Sequence, residues 1–207
     1  LPKAGGTMTG GLDLNDNVKI RLGTGGDLQL YCDNSNSYIK DAGAGSLILW
    51  TGNGTEIKFI SQADGSETMA DMNADGSVDL YHNNVKKFET SANGITVTGT
   101  AVATTDTDTT NTGSVTLDFA AKQNFVLTLT GNVTLANPTT EQVGQSGFIA
   151  FIQDGTGSRT VALGTDYETP AAAGLTLTST ASATDLVPYL VVASNRILLG
   201  TPQLAFA

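Results

Sequence analysis

Three segments in the first half of this 207-residue chain repeat one pattern: Gly26-Asp-Leu-Gln-Leu-Tyr31, Gly45-Ser-Leu-Ile-Leu-Trp50 and Gly76-Ser-Val-Asp-Leu-Tyr81. Each is a glycine, a small polar residue, an aliphatic, any residue, a leucine and an aromatic. A turn-rich stretch follows every copy (CDNSNS, TGNGTE, HNNVKK), and then a second short strand: Tyr38-Ile39, Ile57 to Ile60, or Phe88-Glu89-Thr90. Strand, Asn/Gly turn, strand is the pattern of a β-hairpin. The copies start 19 and 31 residues apart, the longer gap holding an insertion from Ser61 to Asp75. Repetition of one supersecondary unit predicts an elongated array more than a single globule.

A hairpin with two or three aliphatics per strand has no second layer, while ordering its backbone costs roughly 1–2 kcal/mol per residue. Neighbouring copies or neighbouring chains must cover it. Alternation in Leu12-Asp-Leu14 and Val18-Lys-Ile20-Arg-Leu22 gives one apolar and one charged face, as strands packed around a central axis require. Residues 1–99 are therefore expected to form an elongated, oligomeric hairpin shaft.

From Thr100 to Thr112 the chain reads TAVATTDTDTTNT, with no large apolar residue except Val102 and no periodicity. Residues 100–113 are expected to be a Thr-rich linker or neck. Charge density changes across it: 19 charged residues precede position 100 and 11 follow, each part contributing −5 to the net −10. Beyond the neck, Ser114 to Phe119, Phe125 to Thr130, Val133 to Leu135, Phe148 to Gln153, Arg159 to Leu163, Leu175 to Thr178, Asp185 to Ala193 and Arg196 to Leu199 read as strands. Turn signals stand at 130–132, 154–157 and 194–195. This predicts an antiparallel β-sandwich or jelly-roll-like domain over residues 114–207, with its own core. Pro188 inside its strand predicts an edge or a bulge. The fold class is all-β, since Gly and β-branched Thr dominate and no helical pattern is present.

A net charge of −10 without a Lys/Arg cluster argues against nucleic-acid binding, which needs a basic face. The single cysteine, Cys32, excludes an intrachain disulfide and a cysteine-based zinc site. The longest apolar run, Leu186 to Ala193 with Pro188 inside it, is far shorter than the ~20 residues of a membrane helix, so membrane insertion is not expected. No export signal is read at the N-terminus, which opens on Leu1 without an initiator Met and so reads as a fragment of a longer chain.

The segment Asp71-Met-Asn73-Ala-Asp75-Gly76 begins like a calcium loop, where alternate oxygens converge on one ion. Its twelfth position is His82, not the bidentate Glu such a loop needs, and no helices flank it. An ordinary turn before the third repeat explains the same residues, and both readings stand, the turn favoured. His82 is the only histidine, so a Ser/His/Asp or His-based metal site would have to pass through it; no Gly-x-Ser-x-Gly elbow exists, and a surface turn is favoured. Gly23-Thr24-Gly25-Gly26 lacks the Lys-Ser/Thr ending of a phosphate cradle. Tyr31, Trp50 and Tyr81 recur at one repeat position, which favours packing over ligand stacking. Tyr167 lies in the irregular stretch 164–174, where it either stacks on a sugar or protein surface or covers the core.

The opening Leu-Pro-Lys-Ala-Gly-Gly-Thr-Met-Thr-Gly-Gly-Leu resembles the G-G-x-M-T-G-x-L segment at shaft or collar units of bacteriophage tail fibres. GDLQLYCDNSNSYIKD and NADGSVDLYHNNVKKFETSANGITVTGT resemble the hairpin-repeat region of tail-fibre and related structural proteins of marine phages. GSVTLDFAAKQNFVLTLTGNVTLANP and GQSGFIAFIQDGTGSRTVALG are similar to the terminal domains of such fibres. The resemblance implies a homotrimeric, fibrous virion protein, made in the host cytoplasm, that partners other virion tail proteins and contacts a host receptor, a polysaccharide or outer-membrane protein. It implies no catalytic residue and no cofactor. The His-x-His motifs that bind iron in some fibre tips are absent from the sequence.

The expected mechanism is adhesive, with three copies of a loop-bearing tip making weak contacts together. From loop position, 153–159 and 164–174 are the expected receptor contacts, with Asp154, Arg159, Asp166 and Tyr167 as candidate receptor-binding residues and no metal ligands. The alternatives are a purely structural collar or decoration protein, and a fibre-borne polysaccharide depolymerase, which normally asks for a longer β-helical body.

Overall fold

A computed structural model describes residue 7 and residues 9–52, 56–61 and 65–206. Gly5, Gly6 and Met8 of the G-G-x-M-T-G opening, the tip of TGNGTE and the start of the insertion after Ser61 lie outside the described residues. The described chain is all-β, with no α-helix, and divides into two compact units, Leu1–Gly99 and Thr100–Ala207.

The first unit holds two antiparallel sheets. One is formed by β1 (Ile20–Leu22), β2 (Leu28–Cys32) and β3 (Ser37–Asp41), in that order. The other is a meander of β4 (Glu56–Ser61), β5 (Glu67–Asn73), β6 (Val78–His82), β7 (Val85–Ser91) and β8 (Gly94–Val97). The first and third repeats begin the hairpins β2/β3 and β6/β7. In the latter, His82 pairs with Val85 across Asn83 and Asn84, whose φ of 50° and 59° match the two left-handed positions of a type I′ turn.

The second repeat forms no strand. Ile48 and Trp50 are 76% and 87% exposed. A run such as Leu47-Ile-Leu-Trp50 has no polar face, so it is stable as a strand only when covered on both sides. Its expected partner, β4, pairs instead with β5, which arises from the insertion.

In the β4–β8 sheet alternation separates two faces. Ile57, Met72 and Val78 form one cross-strand row, and Phe59, Ala70, Leu80, Phe88 and Val97 the next. The opposite face carries Lys58, Asp71, Asp79 and Glu89 in register. Burial runs against the usual order. Asp71 and Asp79 are buried at 8% and 4% exposure, while no hydrophobic side chain described in this unit is.

The second unit contains β9 (Thr105–Thr116), β10 (Asn124–Ala136), β11 (Ser146–Gln153), β12 (Val161–Leu163), β13 (Tyr167–Glu168), a 3-10 turn at Pro170–Ala172, β14 (Thr184–Ala193), β15 (Arg196–Leu199) and β16 (Gln203–Phe206). They form one curled, sandwich-like sheet. Much of the expected neck is strand: β9 runs beside β10 from Thr105 onward. Its Thr/Asp composition lacks apolar periodicity, but β-branched Thr suits an edge strand whose outer face meets water. Residues 125–135, expected as two strands, are one. Thr130 to Asn132 are a register shift, with Gly131 so close to β9 that a Cβ there would meet the Thr112 side chain.

Pairing in this unit is mixed. β10 is parallel to β9, β11 and β12, and β13 to β15; β14 is antiparallel to β11, β15 and β16. Along one edge β10 keeps β9; along the other it pairs β11 at residues 125–129 and β12 at 133–135. β14 forks likewise, holding β11 on one edge and β16 then β15 on the other. Pro188 sits at that fork. Its carbonyl accepts from Gly200 N–H at 2.9 Å, so its ring nitrogen faces the gap between β16 and β15 and the β11 ladder loses nothing. The core inside the curl includes Phe119, Phe125, Leu129, Leu135, Ile149, Phe151, Val187 and Ile197.

Candidate functional site

The two loops singled out in the sequence are built differently. In the first, Gln153 ends β11 with its side chain buried, and its amide closes a ring on Arg159: Oε1 accepts Arg159 N–H at 2.8 Å and Nε2 donates to Arg159 O at 2.9 Å. Asp154 Oδ1 accepts the N–H groups of Thr156 and Gly157 at 3.0 and 2.9 Å. Its Oδ2 accepts Arg159 Nε and Nη2 at 3.1 and 2.7 Å. The Arg159 guanidinium, with the two loop N–H groups, holds the Asp154 carboxyl at about 2, against the desolvation that would raise it. Asp154 and Arg159 therefore neutralise each other, and the loop presents the exposed Gly155, Thr156 and Ser158 on a rigid base.

In the second loop the expectation of surface contacts at Asp166 and Tyr167 is corrected. Asp166 is 8% and Tyr167 5% exposed, and Tyr167 is part of β13, packed into the core and paired with Ile197 of β15. Loop signals in 164–174 hid a two-residue strand. Burial, with the charges of Asp166 and Glu141, pushes the Tyr167 phenol up from its ordinary range. What this stretch exposes is Thr165, Glu168, held by Arg196 at 2.8 and 3.0 Å, and the turn from Pro170 to Gly174. Ala171 and Ala172 both have φ of 54°, a left-handed conformation costing roughly 1–2 kcal/mol per non-glycine residue. Thr169 Oγ1 holds the turn by accepting Gly174 N–H at 2.9 Å. Val161, Leu163, Thr165, Glu168, Thr169 and Leu175 line a concavity beside it.

Leu175 to Thr178, expected as a strand, joins no ladder, and Thr178 N–H donates instead to the buried Asp185 carboxylate. Asp185, Gln153 and Asn111 are buried polar residues that turn composition gave no way to single out.

The calcium-like segment is a hairpin turn. Asn73 N–H and its side-chain amide both donate to Ser77 O, at 3.0 and 3.1 Å, and Asp75 has φ of 53°. Asp71 lies opposite Asp79, with Lys58 3.8 Å from Asp71 and Lys86 2.8 Å from Asp79. Among the described residues no group of three or more His, Cys, Asp or Glu side chains could hold a metal ion. His82 is exposed beside the Asn83 turn. Tyr31 and Tyr81 are half-buried, whereas Trp50 is exposed. No described helix is long and apolar enough to cross a membrane.

Residues 109–193 match a family model described as "Putative phage tail fibre C-terminal domain". The match runs from within β9 to the end of β14, somewhat under half of the chain, and supports a phage tail-fibre protein and thus a component of the virion. Neither curated proteins nor solved structures yield a match to this chain.

Proposed function

We propose that this chain is a non-enzymatic structural protein of a phage tail fibre that assembles as a homotrimer and mediates adhesion to the host cell surface. The observation that carries the reading is the tail-fibre match over residues 109–193, the segment holding most of the second unit's core. Self-assembly is supported by the first unit, whose apolar faces have no cover among that unit's own described residues. A sheet with one apolar face must bury that face against another element. The two apolar rows, Ile57-Met72-Val78 and Phe59-Ala70-Leu80-Phe88-Val97, carry no charged side chain, so copies of a chain with net charge −10 can bring these rows together without placing like charges in contact.

Host contact falls to the loops at 154–159 and 168–174, where Asp154 and Arg159 fix a rigid turn and Ala171 and Ala172 hold a strained one. Backbone strain retained at an exposed turn is a mark of functional sites. Three tips on one fibre convert weak contacts into avidity. Sedimentation equilibrium of the purified chain is expected to give three times the chain mass, and the protein is expected to block phage adsorption to host cells. A monomer overturns the trimer. A trimer that neither adheres nor blocks adsorption makes the chain a collar or decoration part instead.

A further inference from the structure

Four of the ten Lys and Arg residues, Lys58, Lys86, Arg159 and Arg196, are held in ion pairs. Lys19, Arg21 and Lys40 gather on one face of the β1–β3 sheet, and among the described residues none of the three has a carboxylate partner. Register puts them there. Arg21 stands opposite Gln29, and Gln29 opposite Lys40. Tyr31 stands opposite Tyr38, and Lys19, one residue before β1, reaches Tyr31 from the other side.

Contacts within the face hold these groups in place. The Tyr31 and Tyr38 rings stack with centroids 4.7 Å apart and 14° between planes. Lys19 Nζ lies 4.3 Å from the Tyr31 centroid and donates to Gln29 Oε1 at 3.0 Å, while Gln29 Nε2 donates to Gly26 O at 3.0 Å. Arg21 and Lys40 are exposed. Two acids bound the face. Asp33 is occupied by the Tyr38 hydroxyl at 2.5 Å and by the N–H groups of Ser35 and Asn36. Asp27 alternates with Gln29 at the other end. The reverse face of the same sheet carries Ile20, Leu30 and Ile39. Covering that apolar side leaves the basic and aromatic side open.

We propose that this face binds an acidic polysaccharide, a contact additional to the second unit's loops and one that rests on the adhesion reading for the cell surface that carries the polymer. Unneutralised guanidinium and ammonium groups recognise carboxylate or phosphate oxygens. Tyrosine rings and a fixed amide offer an apolar flank and hydrogen bonds to the rest of a sugar. Two rows across three strands span about 10 Å by 7 Å, the scale of one or two sugar rings and not of a folded protein surface. Three cations on a chain of net charge −10 are too few for the phosphate neutralisation that nucleic-acid binding requires.

The test uses the full chain with polygalacturonate, a phosphomannan and neutral dextran as probes at low salt. One or both acidic polymers are expected to bind at least about tenfold tighter than dextran and to weaken as salt rises; which of the two binds better distinguishes sugar carboxylate from sugar phosphate. Combined Lys19→Gln, Arg21→Gln and Lys40→Gln is expected to lower that affinity by about tenfold or more, with Lys122→Gln in the second unit without effect. Asp27→Asn is expected to tighten binding, a gain that misfolding cannot produce. Equal affinity for dextran, or an unchanged triple variant, overturns the proposal. Adhesion is scored separately on host cells. Wild-type adhesion together with an indifferent triple variant removes the face and leaves the adhesion reading. Polymer binding lost in the triple variant, with no wild-type adhesion, does the reverse.

Discussion

The buried carboxylate of Asp185 takes two hydrogen bonds from one residue, Thr178, through its main-chain N–H at 2.5 Å and its hydroxyl at 2.8 Å. Ala205 N–H adds a third at 2.8 Å. One side chain thereby binds the ladder-free segment before β14, β14 itself and β16. Asp185→Ala leaves these donors without a partner, at about 1–3 kcal/mol for each buried group. The expected fall in melting temperature is about 10 °C or more, read by differential scanning calorimetry. Thr178→Ser keeps both bonds and is expected to cost less than about 1 kcal/mol.

The pairing of Asp154 with Arg159 sets a pH dependence. Arg159 draws the Asp154 carboxyl down from its ordinary 3.8 to about 2, so folding favours the ionised form. Its contribution is complete above the unfolded value near 4 and is lost as pH falls through about 2. Arg159→Gln is expected to lower the melting temperature at neutral pH, with the gap from wild type closing toward pH 2. A gap independent of pH refutes the assignment.

Gly157 has φ of 75°, and a Cβ there would stand 2.5 Å from Ser179 O and 2.8 Å from Ala181 N. Both neighbours are main chain and cannot swing aside. Gly157→Ala is expected to destabilise the second unit by about 2 kcal/mol or more in denaturant titration. Gly155→Ala, in open space two residues away, is expected to stay within about 0.5 kcal/mol of wild type.

Leu80 is 45% exposed at the centre of the apolar row between Ala70 and Phe88. Leu80→Glu places a charge where copies are proposed to meet, and is expected to shift the sedimenting species to lower mass. Thr96→Glu lies on the opposite face, in register with Glu89, and is expected to leave the mass unchanged.

Hairpins with local turns were legible in the sequence because their instructions are local: Asn83 and Asn84 specify a left-handed turn wherever they stand. Direction of pairing was not. Alternation at Phe125 to Leu129 reports a strand but not that β9 and β11 lie parallel to it, since that depends on how the chain returns. Thr105 to Gly113, the neck part of β9, escaped as a strand because its stability comes from the β10 backbone beside it and not from an apolar stripe. In the candidate site, loop position singled out Asp154 and Arg159 without showing that they bond to each other, and it placed Tyr167 at a surface from which pairing with Ile197 withdraws it. The face built on β1–β3 shows only as Lys19 and Arg21 alternating with aliphatics; that Tyr38 and Lys40 complete it depends on the register of a separate strand.

The two forked strands of the second unit govern how it comes apart. β10 and β14 each exchange one neighbour for another part-way along a single edge, so both branches of the sheet are anchored on strands they share. The amides of β10 and β14 themselves are expected to exchange slowest, at one rate set by global opening, while the short β12 and β16 exchange sooner. Loss of β10 or β14 would therefore unseat both branches and the loops they carry at once, whereas loss of a branch strand would not.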